Sequence, residues 1–236
     1  DLKLKRWLMG ILTTLFAAGA VGGASASLPK TDGSVSPGIS PVYLDYNLIP
    51  MLVKKEDGKL IFSDCPEYAD NYGILYEGTV EKGKGRVYYY HVNETGKPAR
   101  VLVYAKSDKK QDITVTRTVK GDPSADYMPT GATLSFREAV NEAGDPVLVK
   151  LLPKERTVLF EDDKKGIRSG DLVSGIVEIE TKKPVSLGVA IVPDGTKEDV
   201  KKALDLSVPL LPDSHEMRGT FPMDVYMENK PWDFSK

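Results

Sequence analysis

From Val42 onward the chain runs in short stretches of alternating apolar and polar residues, each ended by Gly, Pro, Asn or Asp. A period of two marks strands that pack one face against a core. VYLDYNLIPMLV predicts a strand kinked at Pro50. KKEDGKLIF predicts a turn at Asp57-Gly58 that leads into a strand, and Gly73 to Tyr76 predicts another. Arg86 to Val92 is a β-branched and aromatic run suited to a pleated surface. Asn93 to Pro98 is rich in turn formers, and Arg100 to Ala105 is a second apolar run. Residues 85 to 105 therefore read as two strands of one sheet. In the first, Val87, Tyr89 and His91 share a face, and Tyr88, Tyr90 and Val92 share the other. Both faces are apolar or aromatic, so this strand is covered on both sides or faces a ligand. DITVTRTVKG alternates more cleanly, with Ile113, Val115, Arg117 and Val119 opposite a row of threonines. PVLVKLLP and RTVLF predict strands, and residues 171–195 read as a hairpin turning at Lys182–Pro184. Met223 to Glu228 predicts one strand near the end.

Two segments break this period. In GATLSFREAVNEAGD (131–145), Leu134, Ala139 and Val140 fall on one helical stripe with Phe136 near it, and Gly144 is placed to cap the C-terminus. Thr196 and Asp199 have capping-box spacing ahead of a helix that reaches about Leu206. The pattern as a whole predicts a mainly β, sandwich-like domain with two short α-helices.

The first 26 residues are of another kind. DLKLKR is basic, WLMGILTTLFAAGAVGG is apolar and uncharged, and Ala24 and Ala26 have the small-residue spacing of a cleavage site. That three-part order predicts a secretory signal over 1–26. The competing reading is a retained membrane tether, which the run from Trp7 to Gly23 barely has the length to form. SLPKTDGSVSPGISP (27–41) predicts a flexible polar linker, followed by a single β-rich domain over 42–236. LPKTDG departs from a sortase signal, because Asp32 separates Thr31 from Gly33 and no apolar tail follows it.

A formal net charge of −2, with no basic run after the first segment, gives nucleic acid nothing to recognise. Cys65 is the single cysteine, so no internal disulfide can form and a secreted domain must rely on its core. About 200 residues suffice, since a chain of that size buries roughly 70% of its unfolded surface.

The chemistry-bearing residues are few. His91 and His215 are the two histidines, which with Cys65 cannot supply a three-histidine metal site; no metal or cofactor is expected. Cys65 precedes a proline in DCPEY and lacks the setting of a nucleophile. SGDLVSG is no nucleophile elbow, because Ser174 sits in a strand pattern. Asp162-Asp163 in EDDKKG reads as a solvated turn, and GKGR lacks the context of a phosphate loop. Asn93-Glu94-Thr95 is a glycosylation sequon in a turn. A hydrolase acting on glycan or peptide would need Asp122, Asp126 or Asp171 to meet His91 or His215 in a cleft. Eight of the eleven tyrosines fall between Tyr43 and Tyr90. Tyrosine joins a large contact area to a polar tip, so these serve either a binding face or a core whose hydroxyls reach water.

NYGILYEGTVEKGKGRVYYYHVNETGKPARVLVYAKS and ITVTRTVKGDPSADYMPTGATLSFREAV resemble a group of uncharacterised secreted proteins of Gram-positive bacteria. The shared marks are Gly73-x-Leu75-Tyr76, the pattern from Gly83 to Gly96, Asp122 to Tyr127 (with Asp122 where the group has Gly), and RGTFP at 218–222. Some of that group are labelled by association with copper amine oxidase N-terminal-like, or stalk, domains. The resemblance covers about residues 70 to 236 and implies further strands after Lys236. It carries no oxidase chemistry, because Gly73 follows Tyr72 where the cofactor motif needs an acid, and the histidines are too few. The resulting expectation is a secreted, cell-envelope-associated, non-catalytic binding or structural module. Its partner would be a cell-wall glycan or an envelope protein, and its contact surface would be Arg86, Tyr88, Tyr90 and His91.

Overall fold

The computed structural model describes residues 51–54, 57–142, 144–210, 217–223 and 226–229, all within a unit spanning Pro50–Lys236. The expected signal segment, the linker, residues 42–50 of the first predicted strand, and His215 lie outside the described residues.

The described chain is mainly β, two sheets packed face to face with a helix on each outer side. The strands are β1 (Met51–Lys54), β2 (Gly58–Ser63), β3 (Tyr68–Ala69), β4 (Gly73–Val80), β5 (Gly83–Asn93), β6 (Ala99–Lys106), β7 (Gln111–Lys120), β8 (Val147–Leu151), β9 (Arg156–Glu161), β10 (Leu172–Thr181), β11 (Val185–Pro193), β12 (Arg218–Pro222) and β13 (Tyr226–Asn229). Helix α1 is Tyr127–Ala139 and helix α2 is Lys197–Leu206. One sheet has the order β12-β2-β5-β10-β7-β8, with β3 also on β5; the other has the order β4-β11-β6-β9. β1 and β13 pair with each other and prolong the β2–β12 ribbon in nearly the same register.

Successive strands mostly change sheets. β5 and β6 are not the two strands of one sheet, and β10 and β11 are not a hairpin: in both cases the second strand crosses to the other layer. β10 lies between β5 and β7, and β11 between β4 and β6. The turn chemistry at 93–98 and 182–184 marks a reversal correctly. A reversal can either pair two strands or carry the chain across the core, and β6, β10 and β11 are apolar on both faces, as central strands are.

Between the sheets lies one core, with Ile61, Leu75, Val87, Tyr89, Val101, Val103, Ile113, Val115, Val173, Val177, Ile179, Leu187, Val189 and Ile191 buried in it. Two tyrosines lie across glycines of a neighbouring strand. Tyr89 pairs with Gly175, where an added Cβ would run into the tyrosine hydroxyl. Tyr104 pairs with Gly188 in the same way on the other sheet's outer face. The missing side chain lets each ring lie flat on the strand and cover backbone that glycine leaves bare.

β7 departs from its sequence alternation. A bulge at Thr116 sets Val115 opposite Ile179 but Arg117 opposite Glu178. Ile113 and Val115 therefore face the core, while Val119 packs outside with Ile176 and Leu134. One bulge residue turns the rest of a strand over, so the predicted single face is divided between two sides.

Helix α2 follows its prediction. Thr196 and Asp199 form the capping box, and Val200 and Leu204 bury against Ile74, Leu102, Tyr104, Ala190 and Val192. Two such side chains contribute about 2 kcal/mol each, which a ten-residue helix requires because it is marginal by itself. Helix α1 begins earlier than predicted, at Asp126, whose carboxylate accepts from Met128 N. It ends at Val140, followed by Asn141 at φ 52°, so Gly144 is not its cap. Thr130 and Leu134 face inward, whereas Phe136, Ala139 and Val140 face solvent. RGTFP, which no strand was predicted to occupy, is β12 and pairs with β2.

Candidate functional site

β5 sits between β2 and β10 and sets the geometry of the four predicted contact residues. Alternation sends Arg86, Tyr88 and Tyr90 to the outer face and His91 to the inner. The structure thus brings three of them together and removes the fourth. His91 is fully buried. Its Nδ1 lies 2.8 Å from the Pro66 carbonyl, which can only accept, so Nδ1 carries the proton. Nε2 is then an acceptor for the Ser63 hydroxyl at 2.9 Å. Burial lowers the ring's pKa to about 4, the Pro66 bond opposes this, and the charge of Arg218 adds to it. His91 is a neutral core histidine, and a partner on the outer face cannot reach it.

On the outer face Arg86 ties α1 to the sheet. Its guanidinium pairs with Glu138 of the helix and lies 3.3 Å from Glu178 of β10. Arg117 stands beside the same two carboxylates at 3.7 and 3.9 Å. Tyr88 touches the Val119–Leu134–Ile176 cluster beneath the helix and stacks on Phe62 with ring centres 5.5 Å apart. Burial raises the pKa of its phenol, with a hydrogen bond from Ser174 acting the other way. The Ser174 hydroxyl also donates to the Tyr89 carbonyl at 2.9 Å. Tyr90 is half-buried; burial and then the charges of Glu67 and Asp64 raise its pKa. Tyr68 of β3 extends this side and is exposed. Phe62, Tyr88, Tyr90 and Tyr68 thus form an aromatic strip beside α1.

Inside the sandwich the phenol of Tyr89 donates to Asp162 Oδ2 at 2.5 Å. Lys120 Nζ donates to the Asp162 carbonyl and stands 3.3 Å from Oδ1. Asp162 is buried, not a solvated turn residue, and desolvation raises its carboxyl pKa against the pull of Lys120. The bulge in β7 aims Lys120 inward. Nothing in EDDKKG signals this contact, since the partners lie 42 and 73 residues away. Asn93 is also inside, its amide donating to Lys97 O and Ile167 O, which takes the sequon's acceptor nitrogen out of reach.

The carboxylates a hydrolase would need are held elsewhere. Asp122 accepts from Arg137 at 2.9 Å, Asp126 caps α1, and Asp171 pairs with Arg168 at 3.0 Å. Both His91 nitrogens are engaged by Ser63 and Pro66. Cys65 is buried. Among the described residues no group of His, Cys, Asp and Glu is placed to hold a metal ion, and no helix is long and apolar enough to cross a membrane. An opening of about 170 Å³ between β7, β8 and β9 is lined by Val115, Val147, Val149, Leu159 and Phe160. A charged groove of about 310 Å³ lies between Lys106, Arg156, Lys201 and Asp205. Comparison with protein-family models, curated proteins and solved structures finds no match to this chain.

Proposed function

We propose that the domain is a secreted, cell-envelope-associated binding or structural module that does no chemistry of its own. In this reading the outer aromatic strip of β5 and its neighbours meets a cell-wall glycan or an envelope protein. The observation that carries it is the strip itself: Phe62 stacked on Tyr88, then Tyr90 and Tyr68, on a sheet face that α1 shares. Stacked aromatic faces with polar tips suit sugar rings and peptide side chains. Arg86 and Tyr88 hold α1 in place, which leaves Tyr90 and Tyr68 as the contact residues.

The test is a pull-down of the full chain on isolated cell walls and soluble wall glycans, beside Tyr90→Ala and Tyr68→Ala. Retention that falls at least tenfold in variants with unchanged circular dichroism supports the strip as the contact surface. Retention untouched by both changes, or no retention by the parent chain, overturns it.

A further inference from the structure

Helix α1 turns a row of apolar residues to solvent. Met128, Ala132, Phe136 and Val140 are four residues apart and all exposed, Met128 to 60%, Phe136 to 67% and Val140 to 55%. Residues at this spacing form one ridge along a helix. Beside it runs Gly131, Ser135 and Ala139, also exposed, whose small side chains leave a groove. A Cβ built on Gly131 would meet nothing.

We propose that this face is a homotypic interface, on which a second copy of the chain packs its own α1. Three observations select that occupant. A ridge and a groove side by side on one helix complement themselves under a two-fold rotation, which sets each ridge into the other's groove. The face leaves on the order of 500 Å² uncovered per copy, so a pair can remove at most about 1,000 Å² from water, the lower bound for a specific contact. Neither row carries a charge. The helix's two charged residues point into its own domain. Arg137 donates to Lys120 O and Asp122, and Glu138 pairs with Arg86 and Arg117. A helix that lies on lipid presents free Lys or Arg beside its apolar face; α1 has no lysine, and its arginine is engaged. Thr130 also ties the helix to its own domain by donating to Asp122 O, and Asp126 caps its first turn.

The experiment is sedimentation velocity of the full chain from roughly 1 to 200 µM, a range that spans the dissociation constant of so small an interface. It is run beside Phe136→Glu and, under oxidation, Ser135→Cys. The parent chain is expected to approach twice its monomer mass, and Phe136→Glu to need at least tenfold more protein. Ser135→Cys should give a disulfide-linked pair, without competition from the buried Cys65. This crosslink stays readable even if Phe136→Glu disturbs folding. A monomer at every concentration with no crosslink overturns the proposal, as does a Phe136→Glu variant that pairs like the parent. Flotation of a monomeric parent with phosphatidylcholine–phosphatidylglycerol vesicles, lost in Phe136→Glu, also overturns it and assigns the face to lipid.

Discussion

Replacing His91 with Gln should remove most of the protein's acid sensitivity between pH 6.5 and 4. The native ring is neutral, donating from Nδ1 to Pro66 O and accepting at Nε2 from Ser63. Burial holds its folded pKa at about 4, against 6.5 for an unburied histidine. As pH falls through this interval the unfolded chain takes up a proton that the folded chain refuses. Stability contributed by the neutral ring is therefore full above about pH 7 and declines toward pH 4. At 1.36 kcal/mol per pH unit the whole interval corresponds to roughly 3 kcal/mol. Asp162 acts in the opposite sense, because its pKa is raised on folding and its contribution fades as pH rises. Comparing parent and variant at each pH cancels that background. Urea unfolding would be measured at half-unit steps from pH 7 to 4.5. At pH 7 the variant should be about 1–3 kcal/mol less stable, for the hydrogen bonds it loses. The gap should then narrow by roughly 2.5 kcal/mol on reaching pH 4.5. A gap that stays constant with pH would refute the reasoning, as would a nuclear magnetic resonance titration placing the His91 pKa near 6.5.

Lys120→Met should cost about 3–5 kcal/mol at neutral pH, because it leaves the Asp162 carboxylate buried without its cation. Calorimetry at pH 7 and pH 4.5 should show a smaller loss at the lower pH, where Asp162 takes up its own proton. Gly188→Ala should cost about 1–3 kcal/mol by lifting Tyr104 off the strand, and near-ultraviolet circular dichroism should register the moved ring.

Much of the fold is legible in the chain. The alternating and apolar runs between residues 58 and 193 locate β5, β6, β7, β10 and β11 within three residues, because strand formation follows local side-chain pattern. The α2 capping box is a contact over three residues, so the sequence states it outright. Which strands pair is not local. β5 meets β10 and β2, and β11 meets β6 and β4, across gaps that no turn motif encodes.

The candidate site divides in the same way. Alternation in YYYH separates Tyr88 and Tyr90 from His91, and the sequence determines that much. Whether a given face is inside or outside depends on what packs on it. The core claims His91, and α1 claims Arg86 and Tyr88. The bulge at Thr116 turned Lys120 toward Asp162, and of the stripe expected on α1 only Leu134 packs inward, over Val119 and Ile176, while Phe136, Ala139 and Val140 face solvent. Short-range order is set by the backbone and its nearest side chains, which a sequence displays. The choice among faces is made by burial against distant elements, and only the assembled sheets decide it.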